Sequence, residues 1–325
     1  MNQIQRRKWL GMALASAVLP RVATAQQPWP AKPVRLVTAF GAGSASDIVA
    51  RMIAEDLQAA FGQAFVVDNK PGASGILATD FVAKAPPDGY TILLATNTTH
   101  SVNPFMFRKL PYDPVRDFTP IARICYFPFV LLVNAESGIK SVAGLRQYAQ
   151  ANPGKVRYGY GNSTGQIASA ALDTLTKLGA TAVPYKSSPQ VLVDLIGGQI
   201  TYAFGDLASS AAHLKSGRVH ALAVSTEQSS ALAPDLPPLA SAASLPGFDL
   251  AAWVGIFGPH GLPPEITQKL SARINQMLAR KDVADKLAAM GAELAAAPAP
   301  EFASYVRRQL DVWGAKVKAA NIQPE

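Results

Sequence analysis

Short apolar runs alternate with stretches of helical periodicity along most of this chain. The run PVRLVTAF precedes DIVARMIAEDLQAAFG, and KVRYGY precedes QIASAALDTLTKLG. In the first of these helical stretches the apolar residues recur at helical spacing on one face: Ile48, Val49, Met52, Ile53, Leu57, Ala60 and Phe61. Alternation of strands with helices predicts an α/β protein with a parallel or mixed sheet.

Two apolar stretches are longer than one strand needs. They cover residues 118–134 (FTPIARICYFPFVLLVN) and 248–259 (FDLAAWVGIFGP). We interpret them as segments that cross from one lobe to another and back. The predicted fold therefore has two α/β lobes with a ligand cleft between them. Lobe 1 is discontinuous (26–124 and 251–325), and lobe 2 covers 125–250.

The first 25 residues have the features of a secretory signal peptide. A basic start (Arg6, Arg7 and Lys8) precedes a short apolar stretch, and Ala23-Thr24-Ala25 resembles a cleavage site before Gln26. The apolar stretch is far shorter than the roughly 20 residues that a membrane span needs. The sequence therefore predicts export to the periplasm. The paired arginines also resemble a twin-arginine signal, and an ordinary Sec signal is the alternative.

Charge and composition exclude several classes of partner. The formal net charge is +8, but four of the positive charges lie in the predicted leader. No Lys/Arg run or aromatic–basic interleaving remains, so we expect no nucleic-acid partner. The single cysteine, Cys125, lies in an apolar run and is interpreted as a buried, inert thiol. No two of the four histidines have the spacing of metal ligands, so we expect no metal site.

Two loops rich in Gly and Ser/Thr join a strand directly to a helix. The first is GAGSASD (41–47), and the second is GNSTG (161–165). Such a loop offers unpaired backbone N–H groups, hydroxyl donors and the positive end of a helix dipole, and these groups together bind anions. Small residues let the ligand approach the backbone closely. Two such loops in corresponding places of two lobes favour a binding site.

Ordinary helix capping is the alternative interpretation of each loop. Ser46 or Asp47 would cap the first helix, and Ser163 or Thr164 the second. Neither loop matches a cofactor fingerprint: GAGSAS lacks the third Gly of G-x-G-x-x-G, and no GK[ST] is present. We therefore expect no cofactor.

The second loop also fits G-x-S-x-G, the pattern of a nucleophile elbow around Ser163. A hydrolase needs an acid and then a histidine after the serine. Asp194 or Asp206 followed by a later histidine supplies that order, so order alone does not reject an esterase. No HGGG-like oxyanion segment precedes Ser163, however. We favour Ser163 as a hydrogen-bond donor, with a serine esterase as the alternative.

Several motifs together resemble a known family. They are VRLVTAF-GAGSASDIVAR, NKPGASG, APPDGYT, LPYDPVRDFTPIA, VPYK and W-x-G-x-x-GP. They resemble the periplasmic receptors of tripartite tricarboxylate transporters, the TctC or Bug type, from Trp29 to the C-terminal helix. The resemblance implies a two-lobed periplasmic-binding-protein fold, type II-like, that closes on a small organic acid. The sequence departs from the family pattern at Gly41-Ala42, where the family usually has prolines.

The resemblance also implies which residues bind the ligand. In lobe 1 the first loop supplies most of them, with Asn97 and His100 expected at the mouth of the cleft. In lobe 2 they come from the second loop and from Asp206, which follows the strand ITYAF. Asp47 has helix capping as an equal alternative. The expected ligand-binding residues are Ala42, Gly43, Ser44, Ser46, Asp47, Asn97, His100, Gly161, Asn162, Ser163, Thr164 and Asp206.

The predicted function is therefore that of a non-enzymatic, periplasmic solute-binding receptor. It would capture a small organic carboxylate and deliver it to the membrane permease of a tripartite transporter. We expect it to act as a monomer. A receptor that presents its ligand to a signalling partner is a further alternative.

Overall fold

A computed structural model describes residues 28–185 and 187–324. The predicted signal peptide at 1–25 lies outside the described residues. The structure is mixed α/β, with strands and helices alternating as the sequence predicts.

The strands in chain order are β1 (Val34–Thr38), β2 (Phe65–Asn69), β3 (Thr91–Thr96), β4 (Phe118–Asn134), β5 (Arg157–Tyr160), β6 (Thr181–Pro184), β7 (Tyr202–Asp206), β8 (Val219–Val224), β9 (Ala251–Pro259) and β10 (Glu293–Pro298). The α-helices are α1 (Ala45–Phe61), α2 (Ile76–Ala83), α3 (Asn103–Met106), α4 (Val142–Ala151), α5 (Ser163–Thr176), α6 (Ser188–Ile196), α7 (Leu207–Lys215), α8 (Leu239–Ala242), α9 (Pro264–Leu278), α10 (Lys281–Ala289) and α11 (Ala299–Ala319). Between β3 and α3 the chain makes a π-helical turn, Thr98–Val102.

Eight strands of one mixed, curled sheet lie in the order β2-β1-β3-β9-β4-β7-β5-β6, and the other two described strands, β8 and β10, each pair with β4 outside this order. The strands β2, β1 and β3 run parallel, and β9 is antiparallel to β3. In the other half β6, β5 and β7 run parallel, and β4 is antiparallel to β7. The parallel strands of each half end together, so the loops that follow them lie at one edge.

The long strand β4 belongs to both halves of the sheet. Residues 118–128 pair with β9, whereas residues 129–133 pair with β7. The predicted lobe boundary at 124–125 falls earlier in this strand, and the boundary at 250–251 coincides with the start of β9. The long apolar run 118–134 is thus one continuous strand whose partners change along its length.

The helix α11 packs on both halves of the molecule. Its first part buries Phe302 and Val306 in a cluster with Trp253 and Phe257 of β9. Its last part buries Trp313 and Val317, and the residue after it, Ala320, joins them in the cluster that contains the apolar face of α5. Burial of this apolar area stabilises the contact between the halves.

One strand lies where the sequence predicts none. The segment ELAAAP forms β10, which pairs with β4 through an irregular register between Leu294 and Ala297. Its alternate residues are exposed, and its apolar content is mostly alanine, so it has no strong strand pattern.

Cys125 is fully buried in β4, and burial raises the pKa of its thiol to about 12.

Gly255 is required where β9 passes under α11. A Cβ at this position would lie 2.2 Å from the Phe302 ring and 3.0 Å from the Ala122 carbonyl oxygen. We expect Gly255→Ala to lower the free energy of unfolding by about 1–3 kcal/mol because neighbours must shift. Gly197→Ala is the matched control, since its Cβ would meet nothing closer than 3.4 Å. Urea unfolding of both variants tests this; an equal midpoint for Gly255→Ala and wild type would contradict it.

Candidate anion-binding site

The first loop ends in a reciprocal cap on α1. The Ser44 hydroxyl accepts a hydrogen bond from the Asp47 N–H (3.2 Å), and an Asp47 carboxylate oxygen accepts one from the Gly43 N–H (2.9 Å). A capping box is similar, but there the side chain of the third helical residue accepts from the N–H of the cap itself, whereas Asp47 accepts from the residue before the cap. The expected cap at Ser46 or Asp47 is therefore wrong. The helix begins earlier, Ser44 is the cap, and Asp47 supports it from the first turn.

Asp47 is held by two more side chains that do not belong to the loop. Asn69, at the end of β2, donates one hydrogen bond to the second Asp47 oxygen (2.8 Å) and another to the Phe40 carbonyl (2.9 Å). Arg51 donates to the first oxygen from Nε (3.0 Å). Burial raises the pKa of Asp47, but the bonds from Arg51, Gly43 and Asn69 outweigh it, so this pKa lies below 3.8.

Donors remain open at this end of α1. Among the residues that the structure describes, no acceptor pairs with the backbone N–H of Ala42, Ala45 or Ser46. The loop residues Gly41, Ala42 and Gly43 are exposed. Gly43 has a φ of +80°, a left-handed conformation that glycine adopts without strain. The first loop therefore presents neutral donors at a helix N-terminus, where negative charge is favoured.

The second loop repeats this arrangement on α5. The Asn162 side-chain oxygen accepts from the Gly165 N–H (2.8 Å), so Asn162 is the cap; the expected cap at Ser163 or Thr164 is wrong. The Asn162 amide also donates to the Ser188 hydroxyl at the start of α6 (3.0 Å). Gly161 lies against this start, because a Cβ there would be 2.3 Å from the Ser187 carbonyl carbon. Only glycine allows α5 and α6 to begin side by side.

A side-chain hydrogen bond joins the second loop to the other lobe. Asn97, at the end of β3, donates to the Thr164 hydroxyl in the first turn of α5 (2.9 Å). Both residues are buried. No acceptor among the described residues pairs with the N–H of Ser163 or Thr164. Asn97 and Thr164, expected in the site, thus lie together, beside the open donors of α5.

Asn97 begins a polar segment that is entirely buried. Residues 97–103 (NTTHSVN) include the π-helical turn and pack against α11 and β3. Tyr112 anchors the segment: its hydroxyl donates to the Thr99 carbonyl (2.8 Å) and accepts from Asn103 (3.3 Å). Tyr112 is the tyrosine of LPYDPVRDFTP, so part of this motif serves to position the turn.

The expectation that His100 lies at the mouth of the cleft is wrong, because its side chain is fully buried in the interior. Its ring stacks on Phe257 (centroids 4.2 Å apart) and contacts Phe118 (4.7 Å). The Thr99 hydroxyl lies 3.1 Å from the Thr96 carbonyl oxygen and 3.0 Å from the His100 Nδ1, so Nδ1 carries the proton when that hydroxyl donates to Thr96. Burial lowers the pKa of His100 to about 3. His100 is therefore neutral.

Asp206 caps α7 at the end of β7. Its two carboxylate oxygens accept from the backbone N–H (2.8 Å) and the hydroxyl (2.9 Å) of Ser209. Ser209, Ser188 and Gly161 line a common cavity of about 10 Å³, near the volume that one water needs. The starts of α5, α6 and α7 therefore converge at one edge of the second half-sheet, and Asp206 lies at that edge.

Neither a Ser163–histidine pair nor a metal-ligand cluster is formed among the described residues. Within these residues Ser163 has no hydrogen bond to a histidine. Over the same residues, no three His, Cys, Asp or Glu side chains are grouped to hold a metal ion. In the described part of the chain no helix is long and apolar enough to cross a membrane.

Comparisons with known proteins show which family the chain resembles. Residues 49–322 match the model of the "Tripartite tricarboxylate transporter family receptor". A protein encoded in the tcbD–tcbE intergenic region of Pseudomonas sp. strain P51 is 34% identical over 312 residues, 95% of this chain and 92% of the relative. Structures of R. palustris Rpa4515 with adipate and of MatC from Rhodopseudomonas palustris with bound malate are also similar. The first has a TM-score of 0.85 at 35% identity (91% and 100% coverage), the second 0.77 at 30% (89% and 99%).

Two α/β lobes that share the strand β4 are the architecture of periplasmic solute-binding receptors. The chain belongs to the tripartite tricarboxylate transporter receptor family. The predicted family and fold class are thereby confirmed.

Three polar residues that support the loops are absent from the sequence-based set. Arg51 lies four residues after Asp47, a spacing that predicts an ion pair on a helix. Asn69 follows a parallel strand, and polar residues at such ends often face a site. Ser188 begins the helix that follows the parallel strand β6, so it is likewise a polar residue near the end of such a strand. Each was visible in the sequence, but only the fold brings it to a loop.

The buried His100 predicts a pH dependence of stability. An unfolded histidine binds a proton near pH 6.5, whereas His100 does so near pH 3, so stability falls as pH drops below 6.5. From pH 7 to pH 5 this one group should cost about 2 kcal/mol. His100→Phe keeps a stacked ring and removes the titration. Chemical unfolding of both proteins at the two pH values should show the larger loss in wild type; equal losses would contradict the assignment.

Proposed function

We propose that this protein is an exported receptor that captures a small organic carboxylate between its two lobes. The observation that carries the proposal is the pair of capped helix N-termini, α1 and α5, each with open backbone donors. The Asn97–Thr164 bond brings β3 of one lobe to the first turn of α5 in the other. An anion between these groups would contact both lobes, and a ligand that does so favours the closed form.

The relatives support a carboxylate as the ligand class. Rpa4515 is described with adipate and MatC with malate, which are dicarboxylates of different length. The two loops of this chain contain no Lys or Arg, so neutral donors would hold the carboxylate. Charge-assisted hydrogen bonds from N–H groups to carboxylates are stronger than neutral pairs.

The site residues carried from the sequence take two kinds of role in this proposal. Backbone and hydroxyl donors come from the two loops and contact the ligand: Ala42, Ser44, Ser46, Gly161, Asn162, Ser163 and Thr164. Asp47, Asn97 and Asp206 support or complete the cleft, whereas His100 is buried in the interior and contacts no ligand. Gly43 contributes conformation, since its own N–H is bonded to Asp47.

Export and delivery complete the proposal. The features of residues 1–25 favour a cleaved signal peptide and a periplasmic location. The family is named for the receptor of a tripartite transporter, so a membrane permease is the proposed partner. Transport is preferred to sensing on this ground. An esterase reaction is not proposed, because Ser163 lacks a histidine partner among the described residues.

Thermal unfolding of residues 26–325 with added ligand tests the proposal. The probes are adipate and malate within a panel of small carboxylates, each with its neutral amide as the control. Saturation at about 100 times Kd should raise the free energy of unfolding by roughly 2.7 kcal/mol. We expect stabilisation by at least one acid and none by its amide.

The contrary outcome is a protein that is stabilised by no acid. Ligand retained from expression would hide a real site, so mass spectrometry of the denatured protein is the accompanying measurement. An empty protein that no carboxylate stabilises would overturn the proposed function. Equal stabilisation by an acid and its amide would overturn the role of the helix N-termini in charge recognition.

Gly161→Ala tests the second loop. The added Cβ would lie 2.3–2.6 Å from backbone atoms of Ser187 and Ser188 and must push α5 away from α6. We expect at least a tenfold loss of affinity for the acid identified above, since such displacements at sites have effects of this order. Isothermal titration measures it. Gly144→Ala on α4 is the control, with its nearest contact at 3.3 Å from the Ser141 hydroxyl; similar affinities for both variants would contradict the role of Gly161.

A further inference from the structure

The proposed ligand would place its carboxylate at the first loop, which already contains the carboxylate of Asp47. Asp47 lies in the first turn of α1, its side chain is only 3% exposed, and one oxygen occupies the Gly43 N–H. Two negative charges at one helix N-terminus repel each other and compete for the same positive dipole end. Binding of a carboxylate here requires that the charge of Asp47 be compensated.

Arg51 supplies the opposite charge. Its Nε donates to the same Asp47 oxygen that accepts from Gly43, at 3.0 Å. A second guanidinium nitrogen is 3.4 Å from the Asn69 side-chain oxygen. Arg51 is 56% exposed on its solvent side, yet its Nε end is fixed on a buried carboxylate. No other cation among the described residues forms an ion pair with Asp47.

Asn69 fixes the orientation of the same carboxylate. It lies on β2 and joins two parts of the first lobe, through Asp47 (2.8 Å) and the Phe40 carbonyl just before the loop (2.9 Å). With both Asp47 oxygens bonded, the Gly43 N–H is directed inward. The N–H groups of Ala45 and Ser46 are left as the open donors of the helix.

We propose that Arg51 and Asn69 are the positioning residues that make the first loop selective for an anion. They act through Asp47: Arg51 compensates its negative charge, and Asn69 holds its orientation, so that a ligand carboxylate meets uncompensated N–H groups. This inference rests on the proposed function. It adds a charge balance that lies outside both loops, on the second turn of α1 and at the end of β2.

An ordinary helical ion pair differs from this one. Lys269 and Glu265 on α9 have the same spacing, but both side chains are well exposed, at 40% and 78%. Exposed pairs of this kind contribute little. The Asp47 carboxylate is buried and bonded to Gly43, Arg51 and Asn69. Lys269→Gln is therefore the matched control for a variant at Arg51.

A first measurement needs no ligand. The pKa of Asp47, followed by carboxyl carbon NMR, should lie below its ordinary value in wild type and rise in Arg51→Gln and Asn69→Ala. Asn134→Ala is the control for Asn69→Ala. Asn134 lies in lobe 2, away from the first loop, and its side-chain amide makes a similar hydrogen bond to the Ile196 carbonyl (2.8 Å). An Asp47 pKa that neither substitution moves would overturn the proposal, whatever ligand the protein binds.

The second measurement is affinity for adipate and malate by titration. Arg51→Gln should weaken binding of the acid about fivefold, because the uncompensated charge of Asp47 repels the ligand carboxylate. This loss of affinity should be smaller at high salt, which screens the repulsion. The double variant Asp47→Asn/Arg51→Gln removes both charges and should recover most of that loss. Asn69→Ala should weaken binding, and Lys269→Gln should bind like wild type.

The outcomes separate this inference from the proposed function. If no acid binds wild type, the proposed function fails, and the Asp47 pKa still decides whether Arg51 and Asn69 hold the loop. If the acid binds wild type and Arg51→Gln equally, or if the double variant is no tighter than Arg51→Gln, charge compensation is overturned. Thermal unfolding of each variant identifies a loss that comes from a destabilised fold.

Discussion

One strand determines how the rest of the molecule is arranged. Residues 118–128 of β4 pair with β9, and residues 129–133 pair with β7, so both lobes hang on the backbone of a single segment. The pairing of β4 with β7 runs from 129 to 133 without a shift, whereas the pairing with β9 shifts register twice between Pro120 and Cys125. Together the two ladders fix the relation of the half-sheets near this strand, since slippage would expose unpaired backbone groups. The helix α11 adds apolar contacts with both halves. The loops at the ends of the parallel strands are therefore brought to one region.

At those strand ends, the backbone N–H groups that begin α1 and α5 are of two kinds: some are capped by a side chain, and others are open. A capping side chain occupies the third N–H of each helix, through Ser44 on α1 and Asn162 on α5. The first two N–H groups stay open, because nothing in the described chain reaches them. The caps come from the loops themselves, so the same residues that end the strand also leave the donors free. Neutral, preorganised donors require little rearrangement when an anion arrives.

Much of this could be predicted from the sequence, and the rest depends on contacts that it does not encode locally. The apolar runs predict the strands and the long shared segment, whereas the anion site at the two small-residue loops stays a prediction. The caps were misplaced because GAGSASD offers several residues that can cap, and only the backbone selects Ser44. The Asn69–Asp47 and Asn97–Thr164 bonds join residues 22 and 67 positions apart, which no periodicity reveals. The strand β10 has too little apolar pattern to be recognised.

The buried polar segment 97–103 shows where stability is given up. Asn97, His100 and Ser101 each keep a buried polar atom without a hydrogen-bond partner among the described residues. Each such atom costs about 1–3 kcal/mol, and an apolar turn packed on α11 would avoid that cost. Proteins carry local costs of this kind mainly at functional sites. The segment begins with Asn97, whose amide reaches the first turn of α5, so the polar interior leads directly to the edge where the open donors of that helix lie.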